Sequence, residues 1–180
     1  MRRARLELGA AEQQVAARSL ARQVARLPGW AAFRRLALYL ARDGEIDTAP
    51  LAAHCRERGI TLFLPVLEQG NRLAFAEWHE GVELVNNRYG IGEPPPSSPR
   101  STPGELDAIC LPLLGWDREG GRLGMGGGFY DRTLGEGQGP LLVGLAHSCQ
   151  EVPRVPREPW DVPMDFVATD TTLVRCRGGN

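Results

Sequence analysis

Residues 36–64 read LALYLARDGEIDTAPLAAHCRERGITLFL, and this stretch decides the fold class of the chain. The apolar runs at 36–40 and 61–64 are typical of buried strands. Between them, Thr48 is placed to cap a helix over residues 51–58, with Pro50 in its first turn and Gly59 after its end. A strand, a helix and a second strand in this order predict a parallel βαβ unit with a right-handed crossover.

The rest of the chain continues this alternation on both sides of the unit. A helix is predicted over residues 10–27, where Val15, Leu20, Val24 and Leu27 fall roughly on one face. Apolar runs predict further strands at 72–78, 106–113, 141–146 and 166–169, and the proline-rich stretch 91–104 predicts a loop. We therefore expect one domain over residues 1–180, with an α/β fold of three layers, α/β/α, around a mostly parallel sheet.

The composition excludes several classes of protein. The 180 residues are 42% hydrophobic and carry a net charge of −1, which argues against disorder and against a nucleic-acid partner. We recognise neither a transmembrane run nor a secretory signal, so we expect a cytoplasmic protein without a membrane partner. All 21 Lys and Arg residues are arginine, which excludes a Schiff-base lysine and the lysine of a P-loop. The four cysteines lack metal-binding spacing, and buried reduced thiols are expected.

Residues 115–134, GWDREGGRLGMGGGFYDRTL, form the most unusual stretch of the sequence. They follow an apolar strand, and a helix is expected to open at Phe129. A strand, a glycine-rich loop and a helix are the layout of a phosphate-binding loop, whose backbone N–H groups converge on an anion. The pattern is neither a Walker A motif nor a Rossmann fingerprint. A flexible hairpin or tight turn is the purely structural alternative.

The stretches PLLGWD at 112–117 and GRLGMGGGFYD at 121–131 resemble the signature of the 5-formyltetrahydrofolate cyclo-ligase family. Other segments agree in order, including LYL at 38–40 with DGEIDT at 43–48, YGIGEP at 89–94 and the tail from 155 to 165. The similarity runs from about residue 12 to residue 173 and so covers nearly the whole chain.

The resemblance implies a fold and an activity. The fold would be the NagB/RpiA/CoA-transferase-like one. The activity would be the cyclisation of 5-formyltetrahydrofolate to 5,10-methenyltetrahydrofolate, with ATP as co-substrate, Mg²⁺ as cofactor and a phosphorylated formyl (imino-phosphate) intermediate. Such chemistry asks for positioning and electrostatics rather than a covalent nucleophile. A monomer whose partners are small molecules is expected.

The resemblance also implies the site residues. Arg122 and Tyr130 would be catalytic, and Asp131 and Asp161 would hold Mg²⁺. ATP would be bound by Arg122, Leu123, Gly124, Met125, Gly126, Gly127, Gly128, Phe129 and Tyr130. The folate would be bound by Leu40, Glu45, Tyr89, Met125, Gly126, Gly127, Gly128 and Phe129, with Glu45 pairing with the pterin N–H groups. For Leu40, Glu45, Tyr89, Asp131 and Asp161, ordinary structural roles are the alternative.

One departure from the family pattern leaves a second hypothesis open. The family usually begins with a basic helix of the pattern K-x-x-L-R, which would fall before Met1 here, and Arg2, Arg3 and Arg5 are the candidates to replace it. A non-catalytic nucleotide- or folate-binding protein on the same fold is therefore the alternative function. A sugar-phosphate isomerase or CoA-transferase relative is a third interpretation, and the absence of lysine counts against it.

Overall fold

The computed structural model describes residues 2–135 and 139–176. Within these residues the helices are α1 (Arg2–Leu6), α2 (Ala10–Val24), α3 (Ala49–Glu57) and α4 (Phe129–Leu134). The strands of the same residues are β1 (Arg35–Ala37), β2 (Thr61–Glu68), β3 (Arg72–Glu77), β4 (Val85–Asn86), β5 (Gly92–Glu93), β6 (Arg100–Ser101), β7 (Ala108–Pro112), β8 (Gly115–Trp116), β9 (Arg122–Leu123), β10 (Leu141–Leu145), β11 (Phe166–Ala168) and β12 (Leu173–Arg175).

The predicted βαβ unit is confirmed and lies near the middle of the main sheet. In the described part of the chain this sheet has eight strands in the order β12-β11-β10-β7-β1-β2-β3-β6. β1 and β2 are parallel, with Leu36 opposite Leu62, and α3 connects them. The neighbouring pairs from β11 to β2 are all parallel, and antiparallel strands close the sheet at both edges.

The two faces of the sheet are covered differently. Leu36 and Cys110 face α2 and α3, whereas Ala37 and Ile109 face the opposite side, as strand alternation requires. Because both faces are covered, the parallel strands are apolar throughout, as the run at 108–111 shows. The second layer differs from the expected helical layer: in the described residues it consists of the hairpin β8–β9, loops and the six-residue helix α4.

Three local differences from the sequence-based expectations have physical causes. Val15 is 65% exposed, because the buried face of α2 follows Ala16, Leu20 and Val24. The Thr48 hydroxyl donates to the Tyr39 carbonyl at 2.7 Å instead of capping α3. The helix α1 was not expected, since five residues are too few to show a hydrophobic period, and a hairpin within residues 115–134 was expected only as the alternative to the glycine-rich loop that β8–β9 precedes.

The sheet topology places the predicted site at the carboxyl ends of the inner strands β1 and β7. The loop after β1 carries residues 38–48, and the chain after β7 leads into β8, β9 and the glycine-rich loop. Because β1 and β7 are parallel neighbours, both connections leave the same end of the sheet. None of the described helices is long and apolar enough to cross a membrane.

Candidate active site

A cleft of about 1030 Å³ opens where β1 and β7 end. Its walls come from the loop after β1, the strand pair β2–β3, residues 87–93, the glycine-rich loop, α4 and residues 156–161. Every residue to which the resemblance assigns a catalytic, ATP-binding, folate-binding or Mg²⁺-binding role lines this cleft: Leu40, Glu45, Tyr89, Arg122, Leu123, Gly124, Met125, Gly126, Gly127, Gly128, Phe129, Tyr130, Asp131 and Asp161. The structure thus brings the whole predicted set together, and the role of each residue stays a prediction.

The glycine-rich loop leaves β9 and turns sharply before α4. The hairpin that precedes it pairs Trp116 with Arg122. Gly126 has a φ of 85° and Gly128 a φ of 62°, both in the left-handed region that glycine adopts without strain. Gly128 stands directly before the first residue of α4. The loop therefore exposes backbone without side chains along one wall of the cleft, where a ligand can approach the main chain closely.

Arg122 and Asp131 form an ion pair in the wall of the cleft. Nη2 of Arg122 donates to both carboxylate oxygens of Asp131, at 3.0 and 3.1 Å. The two side chains are 9% and 18% exposed. The buried Nε of Arg122 has no hydrogen-bond partner among the described residues. An unpaired buried donor beside a cleft is the kind of group that a bound anion satisfies.

Asp131 and Asp161 meet through the backbone that follows Asp161. The N–H of Val162 donates to Oδ1 of Asp131 at 3.3 Å, while Oδ2 of Asp161 accepts the N–H of Glu158 at 2.8 Å. The described residues contain no group of three or more His, Cys, Asp or Glu side chains that could hold a metal ion. Mg²⁺ needs fewer, because phosphate oxygens and water complete its shell of six. Two carboxylates on one cleft are therefore a sufficient protein contribution for Mg²⁺ that arrives with a nucleotide.

Glu45 lies at the cleft with its carboxylate held on both sides. Oε2 accepts the backbone N–H of Arg42 at 3.0 Å, and Oε1 lies 4.0 Å from Nη1 of Arg5. The side chain is 14% exposed. Burial raises the pKa of Glu45, and the Arg42 N–H and the Arg5 guanidinium oppose that rise. The result is a partly desolvated carboxylate that can accept hydrogen bonds from a ligand carrying N–H groups.

Tyr130 presents a phenol to the cleft. It lines the cleft one residue before Asp131, and the Arg122 guanidinium carbon lies 5.6 Å from its ring centroid. Burial raises the pKa of Tyr130 above its ordinary value; Arg122 lowers it and Glu45 adds to the rise. The phenol therefore stays protonated at neutral pH and can donate a hydrogen bond at the site.

Aromatic side chains form a second wall of the cleft. Tyr89 is 51% exposed and meets Phe129 edge to face, with ring centroids 6.1 Å apart. Trp160 also lines the cleft and is 69% exposed. Rings that stand free at a cleft can stack on a flat heterocycle. Trp160 was not predicted as a site residue from the sequence, although its position directly before Asp161 is a signal for one.

Asp117 ties the hairpin to the segment that carries Asp161. Its carboxylate is 2% exposed and accepts the N–H groups of Glu119, Gly121 and Val155 together with Nη2 of Arg157. Burial raises the pKa of Asp117, but these hydrogen bonds and the Arg157 charge outweigh it and hold the pKa below the ordinary value. From the sequence Asp117 was recognised only as part of a motif, and its connecting role was not predicted, because its partners lie up to 40 residues away.

Comparisons with known proteins match nearly the whole chain. The 5-formyltetrahydrofolate cyclo-ligase family model matches residues 1–170. The 5-formyltetrahydrofolate cyclo-ligase of Escherichia coli K12 is 38% identical over 178 residues, which are 96% of this chain and 98% of that protein. The Haemophilus influenzae protein of the same name is 37% identical over 169 residues, 91% of this chain and 90% of its own.

A solved structure has the same fold as this chain. The NMR structure of Aquifex aeolicus 5,10-methenyltetrahydrofolate synthetase matches with a TM-score of 0.83 and 33% identity, over 99% of this chain and 90% of that one. The resemblance carried by the residues around the glycine-rich loop is thus confirmed across nearly the whole chain. The chain belongs to the 5-formyltetrahydrofolate cyclo-ligase family.

Proposed function

We propose that this chain is a ligase that converts 5-formyltetrahydrofolate and ATP to 5,10-methenyltetrahydrofolate, ADP and phosphate, with Mg²⁺ as cofactor. Membership of the family supports the overall reaction. The observation that carries the proposal for this chain is the convergence of the glycine-rich loop, Glu45, Asp131 and Asp161 on one cleft. Its volume of about 1030 Å³ reaches the upper end of single-ligand pockets, about 300–1,000 Å³, and therefore suits two substrates bound together.

The charged groups divide the cleft between the two substrates. Glu45 would accept hydrogen bonds from the amino and ring N–H groups of the pterin, with Leu40 and Tyr89 contacting the folate. The polyphosphate of ATP would bind along the glycine-rich loop, where the unpaired Nε of Arg122 needs an acceptor. Asp131 and Asp161 would hold Mg²⁺, which neutralises phosphate charge. Without a ligand, Arg122 and Asp131 neutralise each other's charge as an ion pair. With MgATP bound, Arg122 would pair with phosphate and Asp131 with Mg²⁺.

Two bond exchanges complete the proposed reaction. The formyl oxygen attacks the γ-phosphorus, so that an O–P bond forms, the bond to ADP breaks and an imino-phosphate results. N10 of the folate then attacks the former formyl carbon, the C–O bond breaks, and phosphate leaves as N10 gives up its proton. Arg122 would stabilise the charge on the transferring phosphoryl group. The Tyr130 hydroxyl, held protonated by its surroundings, would donate to an oxygen of the reacting group.

The proposed reaction is tested by its product. Purified chain is mixed with 5-formyltetrahydrofolate and MgATP, and the near-ultraviolet absorbance of the methenyl product is followed. We expect ATP-dependent growth of that band, abolished by Asp131→Ala and retained in Glu7→Ala, which removes an exposed carboxylate paired with Arg3. A flat trace from folded wild-type protein would contradict the ligase. Folate or ATP binding without turnover would then identify the non-catalytic binding protein instead.

Several finer statements belong to the same proposal. We propose that the chain works as a monomer in the cytoplasm, on small molecules alone, and that its α/β fold is the NagB/RpiA/CoA-transferase-like one. Light scattering of the purified chain tests the first of these: a mass near 19.7 kDa is expected, and about twice that mass would contradict it.

A further inference from the structure

Arg5, in the N-terminal helix α1, is a charged side chain with no exposed surface. Its Nε donates to the Asp43 carbonyl at 2.9 Å, and its Nη1 donates to the Leu113 carbonyl at 3.2 Å. The buried Nη2 has no hydrogen-bond partner among the described residues. Burying a guanidinium costs several kcal/mol unless its hydrogen bonds and charge are satisfied. If Arg5 had only a structural role, an apolar side chain at its position would fill the same space without the desolvation penalty of a charge.

The partners of Arg5 belong to two loops that line the cleft. Asp43 lies in the loop after β1 and Leu113 directly after β7, and both line the cleft, whereas Arg5 itself does not. Helix α1 packs directly against the turn at Gly44, because a Cβ added to Gly44 would lie 3.2 Å from the Arg5 carbonyl oxygen. That carbonyl accepts Nε2 of Gln13 at 3.1 Å, which ties α1 to α2. The guanidinium therefore lies behind the wall of the cleft and joins its two loops.

Glu45 is the charged group that faces Arg5 from the cleft. Its Oε1 lies 4.0 Å from Nη1 of Arg5, too far for a strong hydrogen bond but close enough for a direct charge interaction. Its Oε2 is held by the Arg42 N–H. Oε1 therefore keeps its lone pairs free for a ligand while a positive charge behind it favours the ionised form.

The neighbouring arginines of α1 are used differently. Arg2 pairs with Asp43 and Arg3 with Glu7, and both arginines lie on the surface. From the sequence, these two arginines and Arg5 were together the candidates to replace the basic helix of the family. The burial of Arg5, and its carbonyl partners, separate it from that group.

We propose that Arg5 is a positioning residue for Glu45: it holds the two loops at the pterin end of the cleft in register and orients the Glu45 carboxylate for the folate. This inference rests on the proposed function, in which Glu45 binds the folate. It assigns Arg5 to folate binding and not to the nucleotide phosphates.

The test is a double-mutant cycle between Arg5 and Glu45. Affinity for 5-formyltetrahydrofolate is measured by titration calorimetry in the absence of ATP, and KM for each substrate in the turnover assay. We expect Arg5→Met to weaken folate affinity and raise the folate KM about tenfold or more, while the KM for ATP changes less than about twofold. In a Glu45→Gln background, Arg5→Met should change folate affinity by less than about twofold. Arg22→Met, which removes an exposed guanidinium of α2 that donates to Ser19 in its own helix, should match wild type.

Four outcomes separate the possibilities. Equal losses from Arg5→Met with and without Glu45 would overturn the positioning role, as would an equal rise in both KM values. Wild-type protein that binds no folate would contradict the proposed function itself. If Arg5→Met does not fold, Arg5→Lys keeps the charge and the fold can be checked by circular dichroism; a folate KM between those of wild type and Glu45→Gln is then expected, and an unchanged one would overturn the proposal.

Discussion

Replacing Asp117 by Asn should loosen the connection between the hairpin β8–β9 and the segment leading to Asp161. Asn keeps one acceptor oxygen, which can serve the donors that now reach Oδ1: the N–H groups of Glu119 and Gly121 and the Arg157 guanidinium. Its NH₂ group must then face the N–H of Val155, which now donates to Oδ2 at 2.8 Å. A buried donor is left unpaired and Arg157 loses its counter-ion.

The magnitude follows from these two losses. An unsatisfied buried donor costs about 1–3 kcal/mol. The Arg157 side chain is 34% exposed, so water screens the lost charge interaction and we add only about 1 kcal/mol for it. The free energy of unfolding should fall by about 2–4 kcal/mol. At about 2–4 °C per kcal/mol for a chain of this size, Tm should fall by roughly 4–16 °C.

The assay is thermal unfolding followed by circular dichroism, with Glu151→Gln as the control. Glu151 pairs with Arg118 on the surface, where an ion pair contributes at most about 1 kcal/mol. Comparing wild type with Asp117→Asn at several pH values gives a second test. Because the pKa of Asp117 is lower in the folded chain, its stabilisation is present above the unfolded-state pKa and is lost as pH falls through the folded one. The Tm difference between wild type and Asp117→Asn should therefore shrink below about pH 4. A Tm loss no larger than that of Glu151→Gln at neutral pH would refute the reasoning.

Three further predictions concern the cleft and the core. Arg122→Met should lower kcat/KM for ATP by about 10²-fold, because a preorganised donor to the phosphates is lost; a change below about threefold in steady-state assays would contradict that role. Tyr130→Phe should lower kcat by about 10²-fold with little change in either KM, and an unchanged kcat would exclude the hydroxyl as a proton donor. Gly144→Ala should destabilise the chain by roughly 1–3 kcal/mol, since its Cβ would collide with Sδ of Met164, whereas Gly104→Ala, where a Cβ meets nothing within 4 Å, serves as the matched control in denaturant unfolding.

The central fold was predictable because its signals are local. The apolar runs at 36–40 and 61–64 and the turn chemistry between them identify two parallel strands and a helix, and β1, α3 and β2 occupy those positions. The same holds for the strands at β7, β10 and β11. Burial on both sides makes each such strand apolar throughout, so a short window of sequence contains enough information to recognise it.

The location of the site was also predictable, for a different reason. The residues from Arg122 to Asp131 form one continuous motif, and their joint position on the cleft follows from chain continuity. Glu45 and Asp161 are distant in sequence, and they were named only through the resemblance to the family. The parallel order of β1 and β7 is what brings Glu45 to the glycine-rich loop, and the sheet order is a property of the folded chain.

The βαβ unit, the glycine-rich loop and the family can be read from the amino-acid order alone, because each depends on residues close together in the chain or on a long specific motif. The burial of Arg5 behind Glu45 and the joining of two loops by Asp117 are visible only in the folded chain. Arg5 and the Leu113 carbonyl are 108 positions apart, and Asp117 and Arg157 are 40 apart. The hydration and hydrogen bonding of a charged side chain depend on what the rest of the fold places around it, and no local pattern records that environment.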